Sequence, residues 1–489
     1  MKKNITNGIF IALTGLILTA PSALLLLPQF RAADTSASEN RTLTAFPEWK
    51  TPEGSRNPDF FPQAESWFTE HFALRTQLVN AYSSLTRKVF SVSSNPDVII
   101  GKDGWLYYAE TVPDITGSRT LNDIEIRHMA QSLCMMRDYA QANRAQFIFA
   151  AAPDKGSIYP DNLPPRYLQT GQQNNLDTLY DALKDTGVTV CDWRSALREN
   201  AQNRQLYHKL DTHWNGDGAM LAYQTLMQTA GLDDHGFAAC QRTETHDWNG
   251  DLWGMLSPNE ENPDDNAVYA VPETYRTVGR MRSIDDMNIR TTCADGTESL
   301  LMFRDSFGRA LIPLLSQRFS ACSYSRATAV PLDTIAAAPT DVVVYEVVER
   351  NLKNLLTYAP VMPAPPAELN QPDALNGDIA KFRVNFENDG VYLHCYGLYD
   401  ETLEDCDSII CTFRSENFSQ SYTAFPCCEA EKLGLDAPAA NGYSLRVPLG
   451  ELPPQGVLSV RVVQQNEAHL VGMADYSTAQ TIVPVDTGV

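Results

Sequence analysis

A serine at the end of an apolar segment is the first residue whose position in this sequence suggests chemistry. Ser306 belongs to the segment DSFG, which follows the predicted strand SLLMFR and precedes an apolar helical pattern. At such a strand-to-helix turn the hydroxyl is exposed, and unpaired N–H groups at the start of the helix can stabilise an oxyanion. A simpler interpretation is that Asp305 or Ser306 only caps the helix.

A serine hydroxyl is a weak nucleophile and needs a neighbouring base. The segment LYHKLDTHWNGDGA offers His213 as that base, with Asp211 two residues earlier. In an extended stretch these two side chains lie on the same side, so the carboxylate could orient the imidazole and stabilise its protonated form. The alternative is that Asp211 caps a helix and His213 is a hydrogen-bonded loop residue. Together, Ser306, His213 and Asp211 predict a catalytic triad for acyl transfer.

Only a sheet can bring these two distant segments together. Between residues 120 and 355, short apolar runs such as AQFIFAAAP, SLLMFR and DVVVYEVV alternate with helical patterns. The alternation predicts a three-layer α/β domain over residues 93–357, with a parallel sheet covered on both faces. Ligand sites of such sheets lie at the carboxyl ends of the strands, where both segments are expected.

Several short segments, in the same order along the chain, resemble the DHHW proteins and the related AlgX/AlgJ-like alginate O-acetyltransferases, which are SGNH-hydrolase-like enzymes. They are ENRTLTAFP, FTEHFALR, IGKDGWLYY, APDKGSIYPDNLP, LDTHWNGDGA, GDLWGML and FRDSFGRALIP, between residues 39 and 313. The resemblance implies that Ser306 is the nucleophile and that Asp211 and His213 complete the triad. It also implies acetyl transfer to an exopolysaccharide or cell-wall glycan, with acetyl supplied by a membrane-bound partner. Arg304 departs from the family, which usually has a small residue there.

Three functions are considered, of which the triad cannot separate the first two but argues against the third. The first is an O-acetyltransferase with an acyl-serine intermediate, and the second is a carbohydrate acetylesterase in which water replaces the sugar. The third is a non-catalytic glycan-binding scaffold. Lys155, after the strand AQFIFAAAP, is a candidate for substrate binding or for steadying the site.

Residues 1–30 are typical of a membrane anchor. Lys2 and Lys3 precede a run without charge that ends at Arg31 and is long enough to cross about 30 Å of hydrocarbon. The lysines predict that the N-terminus lies inside and the body outside, so the chain is expected to be extracytoplasmic. A cleaved signal peptide is the alternative, although small residues at a cleavage site are poorly placed. Residues 31–92 are predicted to be a lead-in followed by a helical segment.

The C-terminal part shows a different pattern. Residues 358–378 are rich in proline and predict a linker, and residues 379–489 alternate apolar and polar residues. They predict an antiparallel β-sandwich. Its position in the chain resembles that of the carbohydrate-binding module of the AlgX-like enzymes, and this resemblance alone implies a candidate carbohydrate-binding domain. Five of the ten cysteines lie between Cys395 and Cys428, where one or two disulfides and buried thiols are expected. No spacing indicates a metal site, and no cofactor is expected. The net charge of −22 argues against nucleic acid as a partner.

Overall fold

The structure is a computed structural model. It describes residues 44–479, apart from 52–53, 91, 119, 168–172, 258–259, 369–380 and 466, together with short stretches before residue 44. The strands are β1 (Thr35–Ser36), β2 (Arg41–Thr42), β3 (Val98–Ile100), β4 (Leu106–Tyr108), β5 (Gln146–Ala152), β6 (Thr189–Cys191), β7 (Arg242–Trp248), β8 (Asp264–Tyr269), β9 (Arg276–Thr277), β10 (Asn288–Thr292), β11 (Thr297–Phe303), β12 (Phe319–Ser325), β13 (Val342–Val348), β14 (Pro366–Ala367), β15 (Arg383–Asn388), β16 (Tyr392–Leu398), β17 (Ser408–Ser415), β18 (Phe418–Ala424), β19 (Gly442–Pro448), β20 (Gln455–Gln464) and β21 (Glu467–Ser477).

The α-helices are labelled in the same way. They are α1 (Phe60–His71), α2 (Arg75–Leu85), α3 (Val112–Ile115), α4 (Asp123–Ala142), α5 (Lys155–Ile158), α6 (Asn175–Leu183), α7 (Trp193–Asn200), α8 (Gly216–Ala230), α9 (Asp251–Leu256), α10 (Ile312–Arg318), α11 (Thr334–Ala337), α12 (Asn354–Thr357) and α13 (Ala430–Leu433).

A seven-stranded sheet forms the centre of the α/β domain, in the order β6-β5-β13-β11-β12-β10-β9. The strands β6, β5, β13, β11 and β12 run parallel, whereas β10 and β9 add an antiparallel edge. The parallel core of the sheet matches the prediction. The antiparallel edge was not predicted, because its polar strands lack the apolar runs that mark a buried strand.

Alternate residues of the central strands face two separate cores. Ile148, Ala150 and Ala152 of β5 pack with residues of α7, α8 and α10 on one face. Phe147 and Phe149 pack with residues of α4 and α6 on the other face. The domain therefore has three layers, as predicted for the α/β domain.

Of the two helical segments next to the site, one begins at a side-chain cap. The side chain of Asn215 accepts the N–H of Gly218 at 3.0 Å and caps α8, which begins directly after the Asp211–His213 segment. The predicted helix after Ser306 is shorter than expected. Residues Phe307–Leu311 form a 3₁₀ turn, α10 begins only at Ile312, and the chain enters β12 at Phe319.

The N-terminal part contains α1 and α2, followed by a π-helical turn at Thr86–Phe90, in agreement with the predicted helical segment. Much of the predicted anchor at residues 1–30 lies outside the described residues. No helix in the part of the chain that the structure describes combines the length and the hydrophobicity needed to cross a membrane.

The C-terminal part contains two antiparallel sheets, one of five strands (β14-β18-β17-β20-β21) and one of three (β15-β16-β19). Buried residues of both sheets, such as Leu393 and Val460, share one core. The predicted β-sandwich stays a prediction. Within the predicted linker, Pro366–Ala367 pairs with β18, and residues 369–378 lie outside the described residues.

All ten cysteines lie in the described part of the chain, and none forms a disulfide. Eight are buried, and Cys134 and Cys240 are partly exposed. The expectation of one or two disulfides is therefore wrong. The eight buried cysteines lie among other buried residues, where a thiol packs as a small apolar group.

Candidate functional site

The three residues of the predicted triad meet at the carboxyl edge of the central sheet. The Ser306 Oγ lies 2.8 Å from Nε2 of His213. The Nδ1 of the same imidazole lies 2.7 Å from Oδ1 of Asp211. These distances lie within the range in which a base can take a proton from a hydroxyl while a carboxylate holds its other nitrogen.

Asp211 lies in a turn, and not in the extended stretch that the spacing suggested. Its Oδ1 accepts both the backbone N–H of His213 at 2.9 Å and the ring Nδ1–H. Its Oδ2 accepts the indole N–H of Trp248 at 3.0 Å and the backbone N–H of Asp251 at 3.1 Å. Each oxygen thus accepts two hydrogen bonds, which compensates the burial of the carboxylate.

The Asp211 carboxylate and the His213 imidazolium stabilise each other electrostatically. Burial tends to raise the pKa of Asp211, but the hydrogen bonds and charge of His213 and the indole of Trp248 outweigh it and hold the pKa well below its usual range. Burial likewise tends to lower the pKa of His213, and the carboxylate of Asp211 outweighs it, so the pKa of His213 is raised. The imidazolium that forms during acyl transfer is therefore favoured here.

A second carboxylate stands beside the imidazole. The Asp251 Oδ2 lies 3.6 Å from Nδ1 of His213, and Thr212 bridges the two because its backbone N–H and hydroxyl both donate to Asp251. Burial and the neighbouring charge of Asp211 raise the pKa of Asp251. Asp251 thus stabilises the turn that carries His213.

The turn that carries Ser306 is held by Asp305. The Asp305 carboxylate accepts the N–H of Phe307 at 2.8 Å and, from the adjacent β13, the N–H of Val348 at 2.6 Å. The N–H of Asp305 donates to Glu346, whose pKa is raised well above its usual value by burial and by the charge of Asp305. Asp305 therefore links the ends of β11 and β13, which is more than a helix cap.

Not every backbone N–H at the start of the turn after Ser306 can donate to an oxyanion. The N–H of Phe307 is already donated to Asp305, so it cannot serve an oxyanion. Among the described residues, the structure gives no partner to the N–H of Ser306 or Gly308. A Cβ at Gly308 would lie 2.8 Å from the Cβ of Arg304, so a larger residue would displace the turn.

Arg304, the departure from the family, has a structural explanation. It is buried, and its guanidinium donates to the carbonyl of Ile284 at 2.6 Å and to that of Asp305 at 3.1 Å. Arg304 therefore ties the nucleophile turn to the segment around Ile284, which forms part of the cavity wall.

Lys155 does not reach the cavity. Its ammonium donates to the carbonyls of His208 at 3.0 Å, Lys209 at 3.0 Å and Asp211 at 2.6 Å, and the rings of Trp105 and Tyr107 lie beside it. Burial lowers its pKa to about 8. With all three donors used inside the protein, this geometry favours the interpretation that Lys155 steadies the loop over the interpretation that it binds substrate.

The triad opens into a cavity of about 710 Å³. Its wall includes Trp248, whose ring stacks on His208 with ring centroids 4.5 Å apart, and Arg309, one turn after Ser306. A second cavity of about 720 Å³ lies between α4, α6 and the C-terminal sheets and contains no member of the triad.

Asp211, His213 and Asp251 also satisfy the simplest geometric requirement for a metal site, because one ligand atom from each lies within 4.8 Å of the others. A metal on Nδ1 of His213 would replace the hydrogen bond to Asp211. The Nδ1 of His213 therefore cannot bind a metal and donate to Asp211 at the same time.

Sequence reasoning missed Trp248 and Asp251 as parts of the site. Both lie about 40 residues after Asp211, and both contact its Oδ2 through the fold. The segment GDLWGML, which contains Asp251, was noticed only for its resemblance to the family. No local pattern marks Trp248.

Comparison with known proteins confirms the resemblance for the first part of the domain. Residues 98–286 match the family described as "SGNH hydrolase-like domain, acetyltransferase AlgX". This range contains Lys155, Asp211 and His213 and ends before Ser306.

The chain is also similar to curated proteins named "Probable alginate O-acetylase AlgJ". It is 25% identical to the protein of Pseudomonas syringae pv. tomato over 198 residues, which are 40% of this chain and 49% of the relative. It is 24% identical to that of Pseudomonas fluorescens over 209 residues, 40% of this chain and 51% of the relative. The chain thus spans about half the length of the curated relatives it matches.

Among solved structures, a DHHW family protein from Eubacterium siraeum is 16% identical, with a TM-score of 0.43 over 54% of this chain and 96% of that one. Bacillus cereus PatB1 is 19% identical, with a TM-score of 0.43, and the match covers 52% of this chain and 96% of PatB1. The O-acetyltransferase domain of Pseudomonas putida AlgJ is 19% identical, with a TM-score of 0.36, and the match covers 53% of this chain and 92% of that domain.

The first prediction concerns the titration of His213. We expect its pKa to lie above 6.5, the usual histidine value, and to fall in Asp211→Asn, because the amide no longer stabilises the imidazolium while burial still opposes it. NMR titration of the His213 ring protons measures both values. An unchanged pKa in Asp211→Asn would show that the carboxylate does not act on the imidazole, and exposed His246→Asn provides a control for the assignment.

The second prediction concerns Lys155. In Lys155→Met, three buried carbonyls lose their donor, so we expect amide hydrogen exchange in residues 208–213 to accelerate by about tenfold or more. The matched control is Lys102→Met, which removes an exposed ammonium that donates to one carbonyl, at 2.6 Å. Unchanged exchange in Lys155→Met would mean that Lys155 does not steady this loop.

Proposed function

We propose that this chain, whose residues 98–286 match the AlgX-type SGNH hydrolase-like domain, is an extracytoplasmic polysaccharide O-acetyltransferase that acts through an acetyl-Ser306 intermediate. The observation that carries the proposal is the continuous contact from Ser306 through His213 to Asp211 at the wall of a cavity. The names of the curated relatives support a polysaccharide as acceptor.

In the first half-reaction, the Ser306 Oγ attacks the carbonyl carbon of an acetyl ester while Nε2 of His213 takes the hydroxyl proton. The tetrahedral oxyanion then collapses, the ester bond to the donor alcohol breaks, and His213 returns the proton to the departing oxygen. The result is acetyl-Ser306 and free donor alcohol. Asp211 stabilises the imidazolium between the two proton transfers.

In the second half-reaction, a sugar hydroxyl occupies the place of the donor. His213 takes the hydroxyl proton, the sugar oxygen attacks the acetyl carbon, and the bond to Ser306 breaks with return of the proton to Oγ. The free N–H groups of Ser306 and Gly308 are candidates for stabilising the oxyanion in both halves. If water replaces the sugar, the same steps describe the acetylesterase.

Several finer assignments belong to the same proposal. We assign Lys155 as a residue that supports the triad loop, a membrane-bound protein as the source of acetyl, and a β-sandwich in residues 379–489 as a candidate glycan-binding domain. The intact triad geometry weighs against the non-catalytic scaffold.

The third prediction tests the chemistry. We expect Ser306→Ala and His213→Ala each to lower acetyl transfer by about 10⁴-fold, because members of a triad act as a unit. Asp211→Asn should also lose most of the activity. Mass spectrometry of protein incubated with a chromogenic acetyl ester should find acetyl on the peptide that contains Ser306.

Ser118→Ala, which removes an exposed hydroxyl far along the chain from the triad, is the control and should keep normal turnover. Near-normal turnover by Ser306→Ala would refute the proposal. Adding a glycan acceptor separates transferase from esterase, since a transferase moves acetyl to the sugar and an esterase releases acetate at the same rate with or without it.

The fourth prediction concerns location. We propose that residues 1–30 remain attached and anchor the chain with its body outside the cytoplasm, because the run lacks charge and a good cleavage site. The mature protein should fractionate with membranes and retain its N-terminal residues in Edman sequencing. A mature sequence that begins after Ala20 or Ala33 would contradict the anchor.

A further inference from the structure

Carboxylates outnumber guanidinium and ammonium groups on the wall of the triad cavity. Among the described lining residues there is one guanidinium, that of Arg309, and the carboxylates are those of Asp211, Asp247, Asp251 and Glu273. Asp211 is buried and bound to His213, so it belongs to the triad and not to the surface that a substrate meets. Asp247 and Glu273 are exposed, and both are counted as negative at pH 7.

These two carboxylates stand at opposite ends of one side of the cavity. Strand β8 supplies Asn266–Tyr269 to the wall and pairs antiparallel with β7. Asp247 lies near the end of β7, opposite the start of β8, whereas Glu273 follows the other end of β8. A sugar chain that lies along this wall therefore passes beside a carboxylate at either end.

The single arginine of the described wall does not balance these charges. The guanidinium of Arg309 lies 3.6 Å from the carboxylate of Asp285, which also lies 3.7 Å from Arg326. Arg309 thus already has a counter-ion. In the described part of the chain, no basic side chain forms an ion pair with Asp247 or Glu273.

The hydrogen bonds that this wall offers also fit sugar hydroxyls better than carboxylates. An ionised carboxylate only accepts hydrogen bonds, and a sugar hydroxyl can donate to it. The exposed amide of Asn249, which also lines the cavity, both donates and accepts. A uronate carboxylate beside Asp247 or Glu273 would bring two acceptors of like charge together, with no proton between them.

The electrostatic field of the whole protein acts in the same direction. The chain carries a net charge of −22, and a cleft lined by one sign of charge concentrates that field. A polyuronate has a carboxylate on every sugar, so it is repelled along its whole length. Alginate, which appears in the names of the curated relatives, is such a polymer. The cavity of this chain therefore disfavours that kind of acceptor.

We propose that the acceptor is a glycan without anionic groups, and that Asp247 and Glu273 exclude polyuronates from the cavity. The inference rests on the proposed function, because it names the acceptor of the acetyl group on Ser306. The sugar hydroxyl must reach the acetyl carbon at Ser306, so the neighbouring sugars lie against the same wall. Asp247 and Glu273 act there on the choice of acceptor and take no part in bond making.

The fifth prediction compares two forms of one glycan. An oligosaccharide of uronic acids and its fully methyl-esterified form have the same linkages and the same hydroxyls but differ in charge. Each is added to the full-length protein with phenyl acetate as the acetyl donor, and acetyl on the glycan is measured by mass spectrometry. We expect about tenfold more transfer to the methyl ester, because the wall repels the uronate, and a smaller ratio at high salt.

The double variant Asp247→Asn, Glu273→Gln tests whether these carboxylates cause the discrimination. The amides keep the shape of the side chains and remove two charges, so we expect the ratio of transfer to the methyl ester and to the uronate to fall by about threefold or more. The matched control Asp436→Asn, Glu467→Gln removes two charges from exposed positions outside the cavity wall and should keep the ratio of the wild type.

Small esters give the same comparison without a glycan. Phenyl acetate is neutral, whereas acetylsalicylate is an acetyl ester that carries a carboxylate. We expect the rate of Ser306 acetylation by acetylsalicylate, relative to that by phenyl acetate, to rise by about threefold or more in Asp247→Asn, Glu273→Gln. This ratio decides the proposal where neither glycan form accepts acetyl.

A further pair of oligosaccharides, one of glucosamine and one of N-acetylglucosamine, distinguishes a cationic acceptor from an uncharged one. Transfer to either of them supports an acceptor without anionic groups. Two results would overturn the proposal. One is transfer to the uronate that equals or exceeds transfer to its methyl ester, and the other is an unchanged ratio in the double variant. Absence of acetyl on Ser306 with every ester would instead refute the proposed function, whereas acetyl-Ser306 with charge-independent ratios refutes only the choice of acceptor.

Discussion

Parallel pairing of β11 with β13 is the constraint on which the site depends. It places Asp305, which follows β11, beside Val348, the last residue of β13, and the carboxylate of Asp305 accepts the N–H of Val348. Because a parallel sheet ends all its strands at one edge, Ser306 has a fixed position above that edge. The loop that carries His213 lies at the same edge, directly before α8 begins.

Holding an ionised carboxylate in that position requires many donors. Asp211 is buried, and an isolated charge there would be strongly unfavourable. Four hydrogen bonds compensate it, two from His213 and one each from Trp248 and Asp251. Lys155 adds an ammonium beneath the same loop and holds its carbonyls. The loop is therefore ordered before any substrate arrives, as electrostatic stabilisation of an imidazolium requires.

The sequence predicted the parallel core and the triad for a physical reason. Buried parallel strands are apolar throughout, and polar residues that follow them stand out. What it could not predict depends on contacts between distant segments. Trp248 and Asp251 contact Asp211 because β7 and α9 pack against the loop that carries it. The spacing of these residues in the sequence does not reveal that packing. Lys155 was noticed as a charge after a strand, but its burial under three carbonyls decides its role.

The expectation of one or two disulfides was wrong, although that of buried thiols was right, because export only makes disulfides possible. Five of them fall in the late stretch that forms the C-terminal sheets, where alternation places thiols such as Cys395 and Cys411 in the core. Whether two thiols pair depends on the distance and direction of their side chains, which composition does not contain.

The burial of the thiols has a consequence for the proposed location of the chain outside the cytoplasm, where conditions are oxidising. Burial raises the pKa of Cys191 to about 12 and that of Cys322 to about 11, and it raises the pKa of Cys395 and Cys427 well above the usual value. Oxidants and disulfide isomerases react with thiolates, which such residues hardly form at neutral pH. Packing thus protects the eight buried thiols of the folded chain from disulfide exchange. If the body of the chain is exported, as proposed, these thiols are accessible to oxidants only between translocation and folding. A variant that folds slowly would therefore be lost through non-native disulfides formed before folding, and not through damage to the triad.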